Sequence, residues 1–353
     1  MSAPTLPIPN ANTAKYLTPA QLVNYENFYA VPYPIQGLAT TVVHLAPNGN
    51  VTHLAGPNAG QEGSILAQML QGEQQLPFEQ VISESAFQWG ATIERTNYPK
   101  RLINFRICIG GFPGCTTYQY QLADNRWWAG QDETTNGWLG VFTRFTGMRW
   151  IPVRPYKTVD TAQKQDPVAY GNNFAIWDVS WICEIPYYTR PSLYATWTAK
   201  NSPKTVSLEF LEGLHTGSIT LANQGDMWSY VQYIINGSGT CQVQDNNSST
   251  MVTLPPIFDS DGPCLVDTDP QNRTLTASND PVDDLFYQYL QSSSVLSFLL
   301  SNVADQGEPW WQRGYVRFVY LVPPQTVVSF NVAHTNPDAT VTVLLQQRYK
   351  RSR

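Results

Sequence analysis

Few residues of this 353-residue chain are of types that could do chemistry, and most of them stand apart. His44 and His53 flank Pro47-Asn48-Gly49, so the two imidazoles could face one another across a hairpin and hold a metal ion, but no third ligand accompanies them. The run DSDGPCLVDTD, 259–269, gathers Asp259, Asp261, Asp267 and Asp269, oxygen ligands of the kind hard cations take. It lacks the third loop carboxylate and the distal Glu of a helix-loop-helix calcium site, and reads as a turn. Asp132-Glu133 and Asp283-Asp284 are sequence neighbours, which splays their carboxylates to different faces and suits a solvated loop or a helix start. In NQGDMWSYVQYIINGSGT, 223–240, Asp226 beside Trp228 could be active-site machinery or the entry turn of a strand.

Sequence motifs of catalysis are missing. The chain has no Gly-x-Ser-x-Gly elbow, no phosphate loop, no complete Gly-x-Gly-x-x-Gly after Gly237-Ser238-Gly239, and no His-Glu-x-x-His. The five cysteines are odd in number, and Cys108 and Cys115 lie too far apart for metal-type spacing; they read as reduced thiols of a cytoplasmically made protein. The N-terminus lacks a basic stretch followed by an apolar one, so no secretory signal is expected. The tryptophans offer recognition instead of reaction. In Trp127-Trp128 and Trp310-Trp311 one member of each pair is expected to point outward, making Trp128 and Trp311 candidates for stacking on a sugar or a partner, against core or protomer interface as the plainer reading.

Composition narrows the classes further. Charged residues make up only 14% of the chain, against about 25% in typical soluble proteins, and the polar character comes from Gln, Asn, Ser, Thr and Tyr. The net charge of −6 argues against nonspecific nucleic-acid binding, only RYKRSR at 348–353 being basic. No apolar run approaches the roughly 18 residues of a membrane span. With 11 Trp, 19 Tyr and 26 Pro, the chain suits pleated, half-buried surfaces, rigid loops and large interfaces.

The elements that position these residues are mainly strands. Residues 1–39 read as an arm, rich in Pro and with little core of its own. Alternation around Pro47-Asn48-Gly49 predicts a hairpin, and Thr92–Ile109 a second, longer one. CTTYQYQLADNRWWAG breaks the period of two; Tyr118, Leu122 and Arg126 fall at helical spacing after a Thr116 or Thr117 cap, with Gly130 as the stop. WLGVFTRFTGMRWIPVRPYKTV and NFAIWDVSWICEIPYYTRP resume strand, and weaker periodicity at 194–206 marks a domain boundary. Beyond it SLEFLEG, GSITLAN, MWSYVQYIING, TCQVQD, TMVTLPPI, CLVDTD and RTLTAS predict a sandwich or barrel, interrupted by a capped helix at 280–303 and closed by GYVRFVYLV and ATVTVLLQQRY.

HLAGPNAGQEGSILAQ, AFQWGATIERTNYPKRLINFRICIGG, the helix ending in NRWWAGQD and GVFTRFTGMRWIPVRPYK, followed by ITLANQGDMWSYVQYIINGSGTCQVQD, TMVTLPPI and GPCLVDTD, form an ordered set. That set resembles the distal tail protein family of long-tailed bacteriophages, in particular the minor tail proteins of actinobacterial phages. The resemblance implies a mainly β chain of two β-sandwich-type domains: a ring-forming belt domain at 40–200 and a galectin-like sandwich at 201–345, with the arm 1–39 and a basic tail 346–353. It further implies a structural virion protein without catalysis or cofactors, made in the bacterial host cytoplasm and placed at the distal end of the tail. There a homohexameric ring would join the tail tube, the tape measure protein and the tail-tip or baseplate proteins, with no specific nucleic-acid binding and no membrane insertion. The candidate interface residues are Arg95, Tyr98, Arg101, Trp128, Trp311, Arg348, Lys350 and Arg351. A carbohydrate-binding module contacting cell-wall glycan is the alternative, and a glycan hydrolase would need two carboxylates about 5–9.5 Å apart across a cleft.

Overall fold

The computed structural model describes residues 40–84, 87, 89–159, 166–169, 171–205, 213–279 and 309–353. The arm and the helix expected at 280–303 therefore lie outside the described residues. The chain divides into two compact units, Met1–Pro191 with Arg348–Arg353, and Ser192–Gln347. The fold is mainly β, with several sheets and one α-helix among the described residues.

In the first unit, β1 (Thr41–Leu45) and β2 (Val51–Ala55) form the hairpin expected around Pro47-Asn48-Gly49. β1 also pairs with β7 (Gly137–Thr143), and β7 with β8 (Gly147–Pro155). A second set joins β3 (Ser64–Gln71), β6 (Arg101–Gly110) and β9 (Phe174–Cys183). β8 carries the chain from one set to the other, because Gly147–Val153 pair with β7 while Arg154 and Pro155 pair with β9. Strict alternation along β6 buries Ile103, Phe105, Ile107 and Ile109 and leaves Asn104 and Arg106 outside.

The long hairpin expected over Thr92–Ile109 does not form. β5 (Thr92–Asn97) pairs with β4 (Glu79–Ser83), a strand the sequence did not reveal, whereas β6 pairs with β3 and β9. Alternation dictates which side chains share a face, not which strand lies alongside. The intervening Tyr98-Pro99-Lys100 is a change of sheet, not a hairpin turn.

α1 (Thr117–Ala129) begins at Thr116, whose hydroxyl accepts from the Gln119 N–H while the Gln119 side chain accepts from the Thr116 N–H, a complete capping box, and it stops at Gly130. Its inward face is Tyr120, Ala123 and Trp127; Tyr118 and Leu122, at the spacing the sequence suggested, are exposed. Trp127 stacks on Trp181 at 6.1 Å between ring centroids, and Phe105 meets Trp181 edge-on at 4.5 Å.

The second unit contains two five-stranded arrays. One runs β17 (Leu275–Ala277), β16 (Cys264–Asp267), β13 (Val231–Asn236), β19 (Thr340–Tyr349) and β10 (Tyr188–Thr198). The other runs β11 (Lys204–Thr205), β12 (Leu214–Asn223), β18 (Thr326–His334), β14 (Cys241–Gln244) and β15 (Met251–Thr253). Their core includes Val231, Tyr233, Ile235, Val243, Val266, Trp310, Phe330 and Val343. Of the two expected closing strands, ATVTVLLQQRY is β19, but GYVRFVYLV at 314–322 forms no strand and pairs only at its end, through an isolated antiparallel bridge of Val322 with Ser229. Val316 and Phe318 pack against the core, and the Asp245 carboxylate takes the N–H groups of Val319 and Tyr320 that a neighbouring strand would otherwise engage. The chain leaves the first unit within β10 and returns to it within β19.

Candidate interaction surface

Residues that could have reacted are held apart or occupied. His44 lies opposite Thr52 and His53 opposite Val43, so the two imidazoles occupy different faces of their hairpin and do not converge on a metal. His53 Nδ1 instead lies 2.8 Å from Glu62 Oε1. Asp261 is gripped by Arg313 at 2.6 and 2.7 Å, and Asp267 accepts from Gln232 and Asn272 side chains, so the aspartates of 259–269 serve the turn. Asp132 caps its own loop through Thr134 and Thr135, bonds that hold its carboxyl below the usual range. Among the described residues no group of three or more His, Cys, Asp or Glu is placed to hold a metal ion.

The exposed feature is the ribbon of β4 and β5, a two-stranded sheet by itself. Ile82 stands opposite Ile93, while the step from Val81 to Ile82 on one strand matches Arg95 to Ile93 on the other, so Glu94 is the extra residue of a β-bulge. Ile82 and Ile93 are both more than half exposed, Phe78 and Tyr98 about half, and Phe87 and Trp89, between the two strands in sequence, wholly so. An isolated two-stranded ribbon is marginal in water, and contiguous exposed apolar groups on a soluble protein mark a contact surface.

The sequence-derived interface candidates separate on this basis. Arg95 and Tyr98 are exposed on and just after β5. Arg101 is 1% exposed, its guanidinium donating to the carbonyls of Glu73 and Lys350 at 2.7 Å each. Trp128 is half-buried, donating to Asp124 at 3.1 Å and meeting Trp177 edge-on. Trp310 is fully buried and donates to the Pro255 carbonyl, whereas Trp311 is 38% exposed with the Arg273 guanidinium 5.3 Å from its ring. Arg348 is buried against the Tyr187 ring, and Lys350 and Arg351 are exposed. Phe78, Ile82, Phe87 and Trp89 went unnoticed as contact residues in the sequence, and Ile93 was read only as a position of the 92–109 hairpin. Their signal is the apolar residues of FEQVIS preceding the run that was read as strand.

No protein-family model matches the chain, and no curated protein does. Solved structures that resemble it include three from phages. The Dit protein of phage SPP1, described as a paradigm of the hub adsorption apparatus in phages infecting Gram-positive hosts, is 12% identical with a TM-score of 0.49, the match covering 88% of this chain and 98% of that one. A chain of the phage P2 baseplate in its activated conformation with Ca is 9% identical with a TM-score of 0.43, covering 89% and 99%. The same baseplate with Sr gives 8% and 0.41, covering 85% and 99%. The structural neighbours are thus phage hub and baseplate proteins, at identities and scores that assign no role by themselves.

Proposed function

We propose that this chain is a structural virion protein, a distal tail adaptor that assembles as a hexameric ring between the tail tube and the tail-tip or baseplate apparatus. The observation that carries the proposal is the β4–β5 ribbon, a two-stranded sheet with an Ile82–Ile93 apolar pair that is more than half exposed. A neighbouring copy supplies the missing cover, and a closed ring does so by heterologous contact, one protomer offering the ribbon and the next a different patch. The number six comes from the resemblance of the ordered sequence segments to distal tail proteins. The arm 1–30, with little core of its own, is assigned to the same neighbour contact.

The test is the native mass and an electron-microscope image of the purified protein. A six-fold particle is expected, and the double substitution I82E/I93K is expected to return folded protomers. A monomer that binds cell-wall glycan at micromolar concentration would instead favour a carbohydrate-binding role at exposed Trp311 and would sink the ring. Deleting residues 1–30 without effect on assembly or thermal stability would remove the arm from the interface.

A further inference from the structure

The last residues of the sequence are built into the first unit one by one. The Tyr349 ring is buried beneath the Arg149 guanidinium, 3.9 Å from its centroid, and Arg149 also donates to the carbonyl of Arg351 at 2.9 Å. Arg101 donates to the carbonyl of Lys350 at 2.7 Å. The Ser352 hydroxyl, with no solvent exposure, donates to Glu73 Oε2 at 3.0 Å, and Arg353 lies 2.9 Å from Glu73 Oε1 while reaching the Thr40 hydroxyl at 3.2 Å. Glu73 itself is fully buried. Burial pushes its carboxyl pKa up, opposed by the Arg353 charge, the Ser352 hydroxyl and the Arg101 charge.

Two properties make this a site and not a chance contact. The seat holds a buried anion, Glu73, and a buried cation, Arg101, each satisfied in part by the tail; without it, charged groups remain in the interior with lost partners, which is costly. The tail is also read selectively. Its carbonyls at Lys350 and Arg351 are engaged, the Arg351 side chain is exposed, and Tyr349, Ser352 and Arg353 are gripped by side chain.

We propose that the first unit carries a peptide-binding site, formed by Glu73, Arg101, Arg149 and Thr40, whose ligand is an extended segment of the pattern Tyr-Lys-x-Ser-Arg, filled here by Tyr349–Arg353 as the strap that closes the unit. The basic end of the chain is thereby an internal fastening and not a free cationic arm. Because the strap follows the whole of the second unit in sequence, the first unit is completed only after the second has been made.

Two variants of the full chain test the assignment by thermal unfolding. S352A/R353A is expected to lower the melting temperature of the first unit by about 5 °C, while R351A, which removes an exposed charge, leaves it unchanged. Equal effects of the two variants would overturn the proposal. In a chain ending at Gln347, addition of the peptide RYKRSR is expected to raise the melting temperature, RYKASR to do the same and RYKRAA to do nothing. A folded shortened chain that ignores RYKRSR at saturating concentration would also overturn it; if that chain does not fold, the full-length pair of variants decides.

Discussion

His44 lies with its ring 4.6 Å from Trp181 and 5.8 Å from Trp127, and burial holds its pKa at about 3, against an ordinary 6.5. The folded chain keeps this imidazole neutral, while the unfolded chain protonates it below the ordinary value. Its contribution is therefore complete above that value and is lost as pH falls toward the folded one, at about 1.4 kcal/mol per pH unit. Urea unfolding at pH 7 and pH 5 should show the His44→Gln variant losing about 2 kcal/mol less than the parent between the two. Asp261 behaves in the opposite chemical sense. Burial would raise its pKa, but the Arg313 hydrogen bonds, the Phe258 N–H and the Arg313 charge outweigh that and lower it. That stabilisation is present above the ordinary carboxylate pKa and disappears as pH falls through the folded one. Arg313→Ala, which also strips the guanidinium from the Phe258 ring, is expected to cost about 3 kcal/mol at neutral pH and progressively less in acid, as read by denaturant titration.

At the scale of elements, local chemistry and tertiary placement make separate demands. The Thr116 cap satisfies helix N–H groups by itself, so Thr116→Ala should cost about 1 kcal/mol in thermal unfolding. Gly72 answers to its surroundings: its φ is +84°, and a Cβ there would stand 2.1 Å from the Leu102 carbonyl oxygen. The left-handed turn it permits lets the chain pass close to β6 before Glu73 enters the strap site. Gly72→Ala is expected to destabilise the first unit by about 2–3 kcal/mol and to loosen the strap, seen as faster hydrogen exchange at Tyr349–Ser352.

At the scale of the molecule, the described residues give each unit apolar core clusters of its own and a two-stranded ribbon with exposed apolar side chains. The ring reading places the decisive behaviour outside the protomer: I82E/I93K should change particle mass and leave these cores intact. A variant that unfolded the protomer while dissociating it would show that the ribbon supports its own unit and would weaken the assembly argument.

Some of this was legible residue by residue. The Pro47-Asn48-Gly49 hairpin, the Thr116 and Gly130 helix ends, and the alternation that became β6, β12, β13 and β19 depend on local backbone chemistry and a period of two, both carried by short windows. In NQGDMWSYVQYIINGSGT, Val231, Tyr233 and Ile235 face the core as their alternation requires, and Trp228, before the strand, is exposed. Partner choice was not legible, because alternation is silent about the neighbour: β5 found β4 instead of β6, and GYVRFVYLV traded a ladder for an aspartate. The fate of Arg101 and Arg348 was hidden for the same reason. A cation in sequence looks solvated until residues some 250 positions away in the chain supply the carbonyl that buries it. Short-range chemistry wrote the strands, the caps and the turns; only the closing of the chain on itself decided which charges lie inside and which apolar faces remain for another molecule.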